Sequence, residues 1–265
     1  MVKKMLAFSL LIVLIAGFIV YQHFEKFSYS FQRRIDQLNP KQQQKSESFD
    51  YKLVFVGDSM TEYLGNFDEL QKYLQHYFPG KKFLLLNYGY GATNILSLQD
   101  RLEKDSTHSG RIFQAINEIP FDLIFIESFG HNPLSEYSLS EGLKKQTESL
   151  KKAIDTILQK HSKSSIVFMA TIAPNKESYG YGAVELRPED RERWVGERTA
   201  YIQNHIKFAQ ENNIPVINVY ERSLKNGTGD IDYISSTDSI HPSPTGIYFI
   251  SKNIADFLGN GNLLR

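Results

Sequence analysis

The chain has 265 residues, of which 30 are basic and 30 acidic, so its formal net charge is zero; 41% are hydrophobic. That apolar content suffices for one sizeable core and is short for two full domains. The balanced charge excludes the basic excess or stripe of a nucleic-acid binder. No cysteine is present, which removes disulfide scaffolds, thiolate zinc sites and cysteine nucleophiles from consideration.

Lys3 and Lys4 precede an apolar run from Met5 to Tyr21, interrupted only by the polar Ser9. At about 17 residues the run sits at the short end of what crosses a bilayer as a helix. A cleaved signal peptide is the competing reading, but the run ends in bulky residues (Phe18-Ile19-Val20-Tyr21) where a peptidase needs small ones. Residues 1–21 are therefore expected to form an uncleaved signal anchor. The lysine pair would stay in the cytoplasm and the rest of a single-pass protein would lie outside. Residues 22–48 are polar, with Pro40 and a run of glutamines at 42–44, and read as a tether. The folded domain is expected over residues 49–265.

Within it, short apolar runs recur as predicted strands: Leu53 to Val56, Phe83 to Leu86, Leu123 to Ile126, Ile166 to Ala170 and Val216 to Val219. Between them lie segments of helical spacing, at Glu69 to Phe78, Ile95 to Leu102, Leu139 to His161, Arg191 to Asn212 and Ile247 to Leu258. Strands alternating with helices predict a five-stranded parallel sheet covered on both faces, a three-layer α/β/α sandwich. The segment from Ala173 to Arg187 breaks the alternation. A loop of this length is more often functional than idle, and Tyr179 and Tyr181 within it are candidates to line a substrate groove; the alternative is a mobile surface insertion.

Four stretches carry chemistry-bearing residues at strand ends or in loops. The first strand runs into Gly57-Asp58-Ser59, where a serine hydroxyl at the carboxyl end of a strand could serve as a nucleophile, or Asp58 or Ser59 could simply cap the next helix. After the second strand comes Asn87-Tyr88-Gly89-Tyr90-Gly91, and after the third Glu127-Ser128-Phe129-Gly130-His131-Asn132-Pro133. Near the end lies Asp238-Ser239-Ile240-His241. A serine hydroxyl needs a base to take its proton. His241, of a residue type with a pKa near ~6.5, can do so, and Asp238 can fix its tautomer.

In this order the motifs resemble the SGNH hydrolases, also called the GDSL esterase/lipase family, which read Gly-Asp-Ser, a glycine loop, Gly-x-Asn and a late Asp-x-x-His. The resemblance spans Lys52 to Gly246 and implies an SGNH or flavodoxin-like sheet. It also implies an oxyanion hole made of the Ser59 N–H, a glycine N–H and the Asn132 amide. Two departures stand out. Gly89 and Gly91 are two apart where the family often has three, so either could supply the glycine N–H, with Gly91 preferred. Pro133 stands where the family usually has an acidic residue after the asparagine.

Gly89, His131, Tyr179 and Tyr181 are the candidate substrate-binding residues, although a structural role for His131 is the stronger reading. Asp105 and His108 repeat the Asp-x-x-His pattern in a polar stretch and read as a solvated loop. Gly89-x-Gly91 lacks the third glycine of a dinucleotide fingerprint, and no phosphate loop or zinc spacing occurs, so neither cofactor nor metal is expected. Asn226-Gly227-Thr228 matches a glycosylation acceptor. The expectation is a membrane-anchored, extracytoplasmic serine esterase whose partner is an ester substrate, an acylated glycan or lipid. Acyl transfer by the same site, or an inactive domain kept for binding, are the alternatives.

Overall fold

In this computed structural model residues 48–264 are described. The expected signal anchor and nearly all of the tether lie outside the described residues. Among those described, no helix is long and apolar enough to cross a membrane.

The compact unit Phe49–Arg265 is built on five strands: β1 (Tyr51–Gly57), β2 (Phe83–Gly89), β5 (Leu123–Glu127), β6 (Ser165–Ala170) and β7 (Val216–Asn218). They form one sheet in the order β2-β1-β5-β6-β7, with every pairing parallel. Alternation along β1 shows why both faces must be covered. Leu53 and Phe55 point into one core with Leu70 and Leu74 of α2 (Asp68–Tyr77) and Ile250, Ile254 and Leu258 of α7 (Pro244–Asn260). Val54 and Val56 point into the other, with Leu98 and Leu102 of α3 (Leu98–Glu103), Leu150 and Ile157 of α4 (Leu139–Lys160), and Tyr201 and Phe208 of α5 (Pro188–Glu211). All four β1 side chains are fully buried, which is what a continuous apolar run in a parallel sheet encodes.

Local signals set the helix starts. Ser138 accepts from the Glu141 N–H ahead of α4, and Ser243 accepts from the Gly246 N–H ahead of α7, where Pro244 takes the first helical position. The chain leaves β1 towards β2 on one side and later returns to β5 on the other. The carboxyl ends of β1 and β5 thus flank the point where the strand order reverses, the place where open α/β sheets bind ligands.

Two local expectations change. The stretch around Asp105 and His108 is not a plain solvated loop but a hairpin of β3 (Ser106–His108) and β4 (Arg111–Phe113), with His108 stacked on Tyr90 at 4.6 Å. Ser109 and Gly110 both take positive φ (49° and 74°), which makes the two-residue turn. Val219 is not the end of the last strand; it opens α6 (Val219–Arg222), capped by the Asn218 side chain. Asn226 and Gly227, both at positive φ, turn the hairpin between β8 (Leu224–Lys225) and β9 (Thr228–Gly229), so this Asn-Gly pair has a conformational reason to be there.

Candidate active site

Ser59 sits immediately past β1, as the first residue of α1 (Ser59–Glu62). Asp58 caps that helix through a 2.8 Å bond from the Met60 N–H, so capping and the display of Ser59 coexist in one turn. Gly57 is required by close approach: a Cβ there would lie 2.2 Å from the Thr61 hydroxyl and 2.7 Å from the Glu127 Cβ. The loop ahead of α7 brings His241 to the serine, with Nε2 2.9 Å from Ser59 Oγ. The other ring nitrogen, Nδ1, lies 2.8 Å from Asp238 Oδ2. Asp238 Oδ1 accepts from the backbone N–H groups of Ile240 (2.9 Å) and His241 (3.0 Å), which ties the carboxylate to its own loop. Burial pushes the Asp238 carboxyl up, but bonds from the His241 ring and from these two amides outweigh it and hold the group below its ordinary range. Tyr63 lies flat on the imidazole, with ring centroids 4.0 Å apart and planes 3° from parallel.

Asn132 reaches the same corner from the loop after β5, and its Nδ2 donates to Asp58 Oδ2 at 2.9 Å. Beneath it lies a fully buried pair of acids, Asp58 and Glu127. Glu127 accepts from Ser128 Oγ (2.6 Å) and the Phe129 N–H (3.0 Å) through Oε1, and from the Asp58 N–H (3.2 Å) through Oε2. Burial raises the Asp58 carboxyl. Burial, followed by the Asp58 charge, raises Glu127 well above its ordinary value. Both shifts favour a proton on one of the two carboxyls. Arg101, also buried, binds the carbonyls of Gly57 (2.7 Å) and Tyr88 (3.0 Å) and the hydroxyls of Ser97 (2.6 Å) and Thr93. Burial pushes its guanidinium down to about 10. The loop whose stabilising acid is replaced by Pro133 is thus held from below by Glu127 and Asp58.

The two glycines separate clearly. Gly89 is buried; its N–H is taken by Asn87 Oδ1 at 2.8 Å, and a Cβ there would lie 2.2 Å from the Glu62 backbone nitrogen. Its place is packing against α1, not the substrate contact expected of it. Gly91 lies beside the serine, since a Cβ on it would be 3.8 Å from the Ser59 Cβ, and its N–H donates to Glu62 Oε2 at 2.9 Å.

His131 takes the structural role that is its stronger reading, whereas Tyr179 departs from its expected place in a substrate groove; both face inward. The His131 ring nitrogens face the Tyr179 hydroxyl (3.1 Å) and the Ile172 carbonyl (3.4 Å). Burial, with the Arg198 charge adding to it, pushes the imidazole down to about 3 and keeps it neutral. Tyr179 is 1% exposed, its hydroxyl accepting from Arg198 Nε (2.8 Å) and its carbonyl from Arg191 Nε (3.0 Å). Both residues are structural supports and neither lines a groove. Tyr181 is 53% exposed under the Arg191 guanidinium, 3.9 Å from the ring centroid, and remains open to solvent.

The loop of residues 173–187 is anchored at Gly180 and Gly182. The Gly180 N–H donates to the Ser239 carbonyl at 3.3 Å, and a Cβ on Gly182 would lie 2.1 Å from the Thr237 carbonyl oxygen. The loop packs directly on the segment that carries Asp238. Among the described residues, no three His, Cys, Asp or Glu side chains group as metal ligands would. Sequence reasoning did not single out Glu62, Tyr63, Arg101 or Glu127. Of these only Glu127 carried a signal, as an acid closing an otherwise apolar buried strand.

A serine, a histidine and an acid joined by hydrogen bonds above the reversal point of a parallel sheet define the class of α/β serine hydrolases. Residues 55–247 match the GDSL-like lipase/acylhydrolase family, and this chain belongs to it, a family of esterases and acylhydrolases. Its fold is similar to that of a lipase/acylhydrolase from Enterococcus faecalis (19% identity, 79% of this chain and 96% of that one, TM-score 0.53). It is also similar to the acetyl xylan esterase AlAXEase (17% identity, 77% and 98%, TM-score 0.55). A third is the acetylxylan esterase Axe2 from Geobacillus stearothermophilus (14% identity, 82% and 98%, TM-score 0.56). At these identities the likeness is one of fold. Among curated proteins none matches this chain in sequence.

Proposed function

We propose that the chain is a serine esterase of the cell exterior that removes small acyl groups, such as O-acetyl, from cell-surface glycans through a covalent acyl-enzyme. The observation that carries this reading is the continuous chain of hydrogen bonds from Ser59 Oγ to His241 Nε2 and from His241 Nδ1 to Asp238 Oδ2. Ser59 Oγ attacks the ester carbonyl while His241 takes its proton. Asp238 holds the imidazole in the tautomer that leaves Nε2 free to accept, and balances the imidazolium that forms. The tetrahedral oxyanion is met by the Ser59 N–H, the Gly91 N–H and the Asn132 amide. His241 then gives its proton to the departing alcohol, and a water molecule, activated by the same histidine, releases the acid.

The glycan acetate reading draws on two supports: acetylxylan esterases share the fold, and the apolar run from Met5 to Tyr21 would tether the domain outside a membrane. The experiment is acetate release from acetylated polysaccharide and from a chromogenic short-chain ester, with the full chain and its Ser59→Ala variant. Release by the wild type and none by the folded variant is expected. Equal release by both would remove Ser59 from the mechanism.

A further inference from the structure

Glu62 is the last residue of α1, one helical turn beyond Ser59, and its carboxylate lies against the Gly91 N–H at 2.9 Å. The same oxygen would be 2.6 Å from a Cβ built on Gly91, and that Cβ only 3.8 Å from the Ser59 Cβ. The carboxylate is therefore lodged on the amide beside the nucleophile. An amide N–H has one hydrogen. It cannot serve Glu62 and a substrate oxyanion together, and two negative charges on one donor repel each other. The carboxylate has to leave before the oxyanion can form. It is only partly buried, at the end of α1 beside Ser59.

We infer that Glu62 is a specificity-determining residue. It occupies the Gly91 arm of the oxyanion hole until an ester arrives with a hydroxyl group beside it, and that hydroxyl draws the carboxylate away. The substrate class this selects is the ester of a polyol or sugar with a free neighbouring hydroxyl, in preference to a bare alkyl or aryl ester or a fully acylated sugar. The inference rests on the esterase reading of Ser59 and gives that site its selectivity.

The test uses a monoacetylated glycoside and the same compound with its neighbouring hydroxyl methylated. Each is hydrolysed by the full-length wild type, Glu62→Ala and Glu62→Gln. The wild type is expected to favour the free-hydroxyl ester by on the order of tenfold in kcat/KM, the size of one charge-assisted hydrogen bond. Glu62→Ala should reduce that ratio to within about twofold, mainly by gaining activity on the methylated ester. Glu62→Gln, which can still accept from Gly91 without the charge, should fall between them. An unchanged ratio in both variants overturns the inference, as does an equal loss on both esters with unchanged thermal unfolding, which would make Glu62 a mere brace for the Gly91 loop. Labelling of Ser59 by a serine-reactive phosphonate separates the two levels. A labelled wild type that hydrolyses neither ester sinks the substrate class alone, whereas an unlabelled one sinks the esterase reading itself.

Discussion

Replacing Glu127 by Gln should change the shape of the curve of stability against pH more than its height at any one pH. Burial and the Asp58 charge raise the Glu127 carboxyl well above its ordinary 4.5, so the folded chain is expected to hold a proton on one acid of the buried Glu127–Asp58 pair. Above that value the unfolded chain has released the same proton. Folding then takes up one proton, and each further pH unit removes about 1.4 kcal/mol of stability until the folded-state pKa is passed. The proton's contribution is thus complete below the unfolded value and lost as pH rises through the folded one. Gln has no proton to take up, so this slope disappears. Its carbonyl can still accept from Ser128 and Phe129, but its NH2 group meets the Asp58 N–H, which donates to Glu127 Oε2 in the parent. One buried donor without an acceptor costs about 1–3 kcal/mol. Urea unfolding between about pH 5 and about pH 8 should therefore show a deficit of that size in Glu127→Gln at the acid end. The deficit should shrink as pH rises, by at most about 1.4 kcal/mol per unit, until the folded-state value is passed. Parallel curves across the range would refute a proton held between the two acids.

Three further changes address the site. Asp238→Asn keeps an acceptor for the Ile240 and His241 amides but offers the imidazole the wrong partner, so kcat should fall about 10⁴-fold with KM little changed; initial rates on a chromogenic ester check it. Asn132→Ala should lower kcat about 100- to 1000-fold by removing an oxyanion donor. The same change takes a charge-assisted bond from Asp58, and thermal unfolding should reveal a separate loss of about 1.5–3 kcal/mol. Gly182→Ala places a Cβ 2.1 Å from the Thr237 carbonyl oxygen at a residue with φ +88°. Displacing the Asp238 segment should lower kcat by about 100-fold. Gly196→Ala, in α5 with nothing within 4 Å, should leave the rate unchanged and serves as the control.

The sheet could be read from the chain because each strand is a short apolar run, buried on both faces in β5 and half-buried at the edges β2 and β7, and the long helices because one face of each is apolar, as Leu150, Ala153 and Ile157 show in α4. The β3–β4 hairpin escaped that reading because its six strand residues are half-buried or exposed, leaving no hydrophobic alternation to detect; only Ser109-Gly110 marked its turn. Ser59, Asp238, His241 and Asn132 were recognisable because residue type and order carry the chemistry. Glu62 was not, because its contact depends on how closely Gly89 lets α1 approach the next loop, which no local pattern encodes. Tyr179 misled for a related reason. A tyrosine in a long loop looks free to meet substrate in sequence, and only its bonds to His131 and Arg198 show that it faces inward. Ala92, Phe129 and Ser239, one in each of three loops that surround Ser59, all adopt positive φ. Such conformations cost roughly 1–3 kcal/mol apiece and tend to persist where function holds them.

The central claim is that His241 activates Ser59 for attack on a carbonyl. Its most direct test is to treat the full chain with a serine-reactive phosphonate and locate the adduct by peptide mass spectrometry. One adduct is expected, on Ser59, formed by the wild type and absent from folded Ser59→Ala and His241→Ala variants. A folded wild type that stays unlabelled, or labelling of Ser59 at the same rate without His241, would contradict it.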